Sequence, residues 1–192
     1  MEQLEISYWV KGLSALAAPQ FTLEYVFGYL MDRGIEPRTL APYLNWSLGS
    51  YTRNLIHKCE LFEVLAICWE SGQFSQIHNH RDQNCWMAVP VGRLQVQNFR
   101  VEQRDPSTGR CRLAPADTYE MNDEHPAAVA PHAPVHQVLN LPEFAERAVS
   151  VHVYSRPYDS CEVYEPEKGT YYDVPLHYTS EFGRRNPEEG HA

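Results

Sequence analysis

The chain has no CxxC pair, no apolar run approaching membrane length and no cluster of basic side chains. Each absence excludes a class. Its five cysteines, Cys59, Cys68, Cys85, Cys111 and Cys161, are odd in number and widely spaced. That pattern indicates neither a disulfide framework nor a zinc ribbon. Sixteen Lys plus Arg against twenty-five Asp plus Glu give a net charge of -9, which disfavours nucleic acid and anionic membranes as partners. The opening MEQLEISYWVKGLSA carries acidic residues where a signal peptide needs a basic region, so the expected location is the cytoplasm. No internal repeat or low-complexity segment is visible. With 192 residues, 43% hydrophobic and 12% aromatic, there is material for one domain with a real core.

The hydrophobic period changes once along the chain. Leu23, Val26, Phe27, Leu30 and Met31 fall at helical spacing after Thr22, a candidate N-cap, and before Gly34, a candidate stop. TLAPYLNW, residues 39 to 46, suggests a second short helix. Strand signals follow. ELFEVLAICW (60 to 69) is continuously apolar and suits a strand covered on both faces, whereas RLQVQNFRV (93 to 101) alternates. RDPSTGR (104 to 110) has hairpin-turn content. After about Tyr178 the tail TSEFGRRNPEEGHA holds little apolar material and reads as an extension or frayed end. The expected organisation is a helical segment over residues 1 to 50 packed on a barrel over 51 to 178, with a tail over 179 to 192. The fold class is mainly β, a barrel or sandwich with short helices at one end.

QIHNHRDQNC, residues 76 to 85, places two histidines one residue apart. On a helix His78 and His80 would diverge; on a strand they share a face, roughly 6.6 Å apart. Gly72, five residues, His78-Asn79-His80, four residues, Cys85, six residues and Gly92 resemble the first motif of the cupin superfamily, with Cys85 where that motif has glutamate. PHAPVHQVLN, residues 131 to 140, resembles the second, with Ala133 in place of glycine. His136 is then the third candidate ligand, with His132 and His125 near enough in sequence to compete. Three neutral imidazoles leave a divalent metal its full charge, which favours anionic ligands and a deprotonated substrate thiol. Iron is the reasonable ion if O2 is a reactant, because zinc has no redox chemistry.

In AVSVHVYSRP, residues 148 to 157, Val149, Val151 and Val153 alternate with Ser150, His152 and Tyr154. One side of that strand presents valines and the other a row able to pass hydrogen bonds from hydroxyl to imidazole to phenol. Without further context, a strand with a solvent-facing polar side is the ordinary reading.

Together SYTRNLI (50 to 56), CWESGQFSQIHNH (68 to 80), Cys85, VHQVLN (135 to 140) and SVHVYSRPYD (150 to 159) resemble the cysteine dioxygenases, the thiol dioxygenase branch of the cupins. The resemblance runs from about Tyr51 to Asp159 and more loosely to Gly169. It implies a small cupin β-barrel (jelly-roll) holding one iron(II) per chain, and conversion of L-cysteine and O2 to cysteine sulfinate. It implies iron ligands at His78, His80 and His136, and a carboxylate grip at Arg53 with Tyr51 beside it. It further implies a relay of Ser150, His152 and Tyr154, and a Cys85–Tyr154 pair that joins through a thioether in many members. The implied partners are a small thiol and O2, and the implied state is monomeric.

One departure bears on substrate. Arg156 in SRPYD stands where mammalian-like members have proline, and a second guanidinium near the carboxylate is similar to the 3-mercaptopropionate dioxygenases, which lack an arginine at the position of Arg53. The alternatives to L-cysteine oxidation are therefore a 3-mercaptopropionate dioxygenase, a cupin that only binds a small molecule, and one using its metal for redox-neutral chemistry.

Overall fold

Ile6, Trp9, Val10 and Leu13 recur at helical spacing, and in the computed structural model, which describes residues 2–129 and 135–187, they bury one face of α1 (Ile6–Ser14). This helix has no counterpart among the sequence expectations, although its period is legible. α2 (Leu23–Asp32) begins as expected: Thr22 Oγ1 accepts the Tyr25 backbone N–H at 3.3 Å. Gly34 does not cap it. That glycine lies in β2 (Arg33–Ile35), which pairs in parallel with β1 (Glu2–Leu4). The expected second helix is a 3-10 segment, Pro37–Tyr43, with Pro42 inside it; proline removes the donor an α-helix would need there.

The remaining strands are β3 (Thr52–Lys58), β4 (Glu63–Trp69), β5 (Ile77–His78), β6 (Asn84–Val91), β7 (Leu94–Asp105), β8 (Arg110–Met121), β9 (Ala127–Val129), β10 (Val135–Leu139), β11 (Ala148–Ser155), β12 (Ser160–Glu165), β13 (Thr170–Pro175), β14 (Ser180–Glu181) and β15 (Arg184–Arg185). One set closes into a barrel in the order β10-β5-β12-β13-β8-β7, with β7 pairing back to β10. The other forms a sheet ordered β15-β14-β3-β4-β11-β6-β9. The architecture is a mainly β barrel with short N-terminal helices. RDPSTGR forms the β7–β8 hairpin, closed by the Asp105–Arg110 pair. Among the described residues no helix is long and apolar enough to cross a membrane.

β4 and β11 lie side by side at the centre of the second sheet. β4 is buried along its whole length, as the apolar run over residues 64 to 69 requires and with Glu63 buried at its start, and pairs with β3 and β11. On β11 the period of two separates two jobs. Val149, Val151 and Val153 pack under the helices with Trp9, Leu13, Val26 and Leu30. Each valine so buried contributes about 1.5–3 kcal/mol. Ser150, His152 and Tyr154 face the other way and are also buried. The polar row is therefore interior, not a solvent face. Tyr154 joins a second core of Leu55, Leu65, Ile67, Met87 and Val138 between the sheets.

Gly92, one of the glycines of the histidine motif, has φ +70°, and a Cβ there would stand 2.5 Å from the Arg147 carbonyl oxygen. Over residues 179–187 the chain is not frayed. β14 pairs in parallel with β3, and the buried Ser180 hydroxyl donates to Asn54 Oδ1 at 2.9 Å. Backbone pairing and one buried hydroxyl hold this segment, so its low apolar content gave no signal.

Candidate metal centre

His78 ends β5 in register with His136 on β10 to one side and with Val163 on β12 to the other. His80 follows two residues later. The three imidazoles converge: ring centroids lie 5.4 Å apart for His78 and His80, and 4.8 Å for each with His136. Their ligand atoms all lie within 4.8 Å of one another. His80 and His136 are buried and His78 half-buried.

The protonation states suit a metal. Gln76 O, an obligate acceptor, lies 2.8 Å from His78 Nδ1, so Nδ1 carries the hydrogen and Nε2 keeps a free lone pair. Burial pulls His78 down to about 4, against the smaller upward effect of the Gln76 carbonyl. Burial and the adjacent imidazoles hold His80 well below the usual range, and burial, then His78 and His152, do the same for His136. Among the described residues His80 Nε2 and His136 Nδ1 are buried without a hydrogen-bond partner, an arrangement that costs free energy unless something engages them. Three neutral nitrogens around one point fit a divalent transition-metal ion. Cys85, at the motif's glutamate position, is not in the group. His125 is excluded as a competitor: it is exposed and held by Asn122. His132 and Ala133 lie outside the described residues.

Beside the histidines lies a cavity of about 200 Å³, walled by Tyr51, Arg53, Gln76, His78, Tyr158 and Cys161 among others. β3 delivers Arg53 from the opposite sheet. Nε and Nη2 of its guanidinium are buried with no partner among the described residues, so the cavity presents unsatisfied cationic donors on the wall that also carries His78. Burial works against the charge of Arg53, but Tyr154, Tyr158, Tyr51 and Glu63 around it more than compensate and hold its pKa above the ordinary value. Tyr51 stacks on Trp69 with centroids 4.6 Å apart. Tyr51, Arg53, Gln76 and His177 also line a wider basin of about 710 Å³, rimmed by the exposed Leu48 and Phe74.

The β11 row is hydrogen-bonded throughout. Trp69 Nε1–H donates to Ser150 Oγ at 2.9 Å, Ser150 Oγ lies 2.8 Å from His152 Nε2, and His152 Nδ1 lies 3.0 Å from the Tyr154 hydroxyl. The proton directions follow from counting donors. Trp69 only donates, so the buried Ser150 O–H has His152 Nε2 as its acceptor. Nδ1 then carries the imidazole hydrogen and donates to the Tyr154 oxygen, which leaves the phenolic O–H free to point elsewhere. Burial, then Arg53 and His78, pull His152 down to about 3, so the ring is neutral as this pattern requires. Burial, reinforced by Cys85, holds Tyr154 well above the usual phenol range and keeps its proton on. Cys85 pairs with Tyr154 in the β6–β11 ladder, and burial pushes its thiol up.

Arg156 does not reach the site. It is exposed, is not among the residues lining the cavity, and its backbone N–H donates to Gln83 Oε1. Four site neighbours were missed from sequence: Trp69, Gln76, Tyr158 and His177. Gln76 carried a signal, being two residues before His78 on extended backbone; His177 and Tyr158 carried none, because only the packing of β12 and β13 brings them to the cavity.

A family model described as cysteine dioxygenase type I matches residues 29–167. Cysteine dioxygenase type 1 of Danio rerio is 30% identical over 155 residues, covering 80% of this chain and 75% of that protein. The Rattus norvegicus protein of the same name is 27% identical over 172 residues, covering 89% and 84%. Among solved structures, a cupin-superfamily sugar phosphate isomerase from Silicibacter pomeroyi aligns with a TM-score of 0.43 and 17% identity, over 69% of this chain and 81% of that one. The chain has a cupin barrel and belongs to the cysteine dioxygenase type I family.

Proposed function

We propose that this chain is a non-haem iron(II) thiol dioxygenase that converts L-cysteine and O2 to cysteine sulfinate, both oxygen atoms ending on sulfur. The observation that carries the reading is one cavity: Arg53, whose Nε and Nη2 have no partner among the described residues, shares it with His78, one corner of the histidine trio. His78, His80 and His136 would hold one iron(II), which supplies open positions for a thiolate and O2 and the redox capacity that zinc lacks.

The other residues act on the substrate. Arg53 grips the carboxylate with parallel charge-assisted hydrogen bonds, with Tyr51 beside it on the cavity wall. Fixing the carboxylate orients the thiol end toward the histidines, so sulfur and oxygen meet as an internal step. Tyr154, its oxygen engaged by His152 and its proton free, donates to negative charge developing on oxygen. Ser150 and His152 hold that phenol in place. Cys85 is read as the partner of Tyr154 in a thioether that locks the ring.

The reactants are small, consistent with a cavity of this size and a chain of net charge -9, and we place the enzyme in the cytoplasm as a monomer. Arg53 recognises a carboxylate that L-cysteine and 3-mercaptopropionate share, so it does not choose between them. With Arg156 away from the cavity, L-cysteine is the preferred substrate. Oxygen uptake by iron-loaded protein with a thiol panel, products identified by mass, tests the reading. Thiol-dependent uptake yielding sulfinate supports it; no uptake with any thiol favours a cupin that only binds. A higher kcat/KM for 3-mercaptopropionate than for L-cysteine would reverse the preference.

A further inference from the structure

Tyr158 is half-buried on the wall of the same cavity as Arg53 and His78, and its hydroxyl has no hydrogen-bond partner among the described residues. Its ring is fixed, packed edge-on against Tyr154 with centroids 5.2 Å apart and lying 6.4 Å from His80. Among the described residues this phenol has no partner, and it shares the cavity wall with the two unpartnered nitrogens of Arg53, so a ligand bearing acceptor oxygens would engage both. From this pairing we propose that Tyr158 is a specificity-determining residue: its hydroxyl donates to the substrate carboxylate alongside Arg53. A carboxylate offers about four lone-pair sites. The Arg53 fork uses two, and a donor from the Tyr158 wall takes a third. Burial, with Tyr154 adding to it, holds the pKa of Tyr158 well above the usual phenol range, so the group remains a neutral donor. The position follows Arg156 and Pro157 in SRPYD. Substrate selection by this motif therefore passes through its tyrosine, while its arginine faces solvent.

The inference rests on the thiol dioxygenase reading, and the test separates the two. Tyr158→Phe keeps the ring and its packing on Tyr154 while removing the hydroxyl. Dissociation constants for L-cysteine and for cysteamine, which lacks a carboxylate, are measured without oxygen on iron-loaded wild type and variant, together with KM and kcat under O2. The expected result is L-cysteine binding weakened about tenfold, the worth of one hydrogen bond to a charged group, with KM rising in step. Cysteamine binding and kcat should change less than about twofold on the same ground. Unchanged L-cysteine binding, or equal weakening of both thiols, overturns the role of Tyr158. If the wild-type protein binds neither thiol, the dioxygenase reading itself fails. Tyr158→Leu, which removes ring and hydroxyl together, should weaken L-cysteine binding at least as much as Tyr158→Phe; stronger binding than in Tyr158→Phe also overturns the assignment.

Discussion

Tyr154 stands directly across the β6–β11 ladder from Cys85, whose sulfur lies 4.0 Å from His152 Nδ1, the nitrogen that holds the Tyr154 hydroxyl. Directly opposed residues keep their side chains on one face at close range. A sulfur–ring bond between them would remove the thiol hydrogen and one ring hydrogen, the two electrons and two protons passing to O2 as hydrogen peroxide. We expect protein that has turned over in air to show an intact mass lower by those two hydrogens, and Cys85→Ser to show none of it. A homogeneous, unmodified mass after turnover would leave Cys85 as a free buried thiol.

Arg53 predicts a separation of kinetic constants. Replacing it with glutamine removes charge and fork but keeps a polar side chain. KM for L-cysteine and 3-mercaptopropionate should rise on the order of tenfold to a hundredfold, the worth of charge-assisted hydrogen bonds. The effect on cysteamine should be much smaller. An L-cysteine KM unmoved by Arg53→Gln places the carboxylate elsewhere.

His80→Ala removes one corner of the trio. Bound iron, measured by elemental analysis after desalting, should fall from one per chain toward none, and thiol-dependent oxygen uptake should fall with it. Retention of full iron content would mean that the metal sits at some other group.

The buried imidazoles also predict how the metal-free protein responds to acid. His78 is held near 4 and His152 near 3, against an ordinary 6.5. Below 6.5 the unfolded chain takes up protons that the folded one refuses, so stability falls as pH falls. Each such imidazole costs about 1.4 kcal/mol per pH unit until its folded pKa is reached. Between pH 7 and 5 the urea midpoint of apoprotein should therefore drop steeply, and His152→Gln should flatten the slope. A midpoint independent of pH in that window would contradict neutral burial of these rings.

What the sequence disclosed depended on range. His78 and His80, and the Ser150, His152, Tyr154 row, lie within a few residues on extended backbone, where a period of two fixes which side chains share a face. Whether that face met water or the interior was not legible, because burial depends on the opposing sheet. Arg53 and His136 were assigned through motif resemblance; His136 reaches His78 by strand register within the closed barrel, whereas Arg53 comes from β3 of the other sheet. Tyr158 and His177 reach the cavity through pairings that no local pattern announces. The two-residue strand β14 escaped notice because it is held by main-chain bonds.

β11 has no neutral face. Along its eight residues, odd-numbered valines anchor the helical cap and the polar groups at 150, 152 and 154 form the hydrogen-bonded row proposed to act on the substrate. Substitutions should accordingly alternate in phenotype from one residue to the next, a lost methyl group appearing as a lower melting temperature and a lost polar atom as slower turnover. The N-terminal helices, though remote from the histidines, press on the reverse side of the strand that carries the phenol. Loosening that cap should blur the aim of Tyr154 before the protein unfolds.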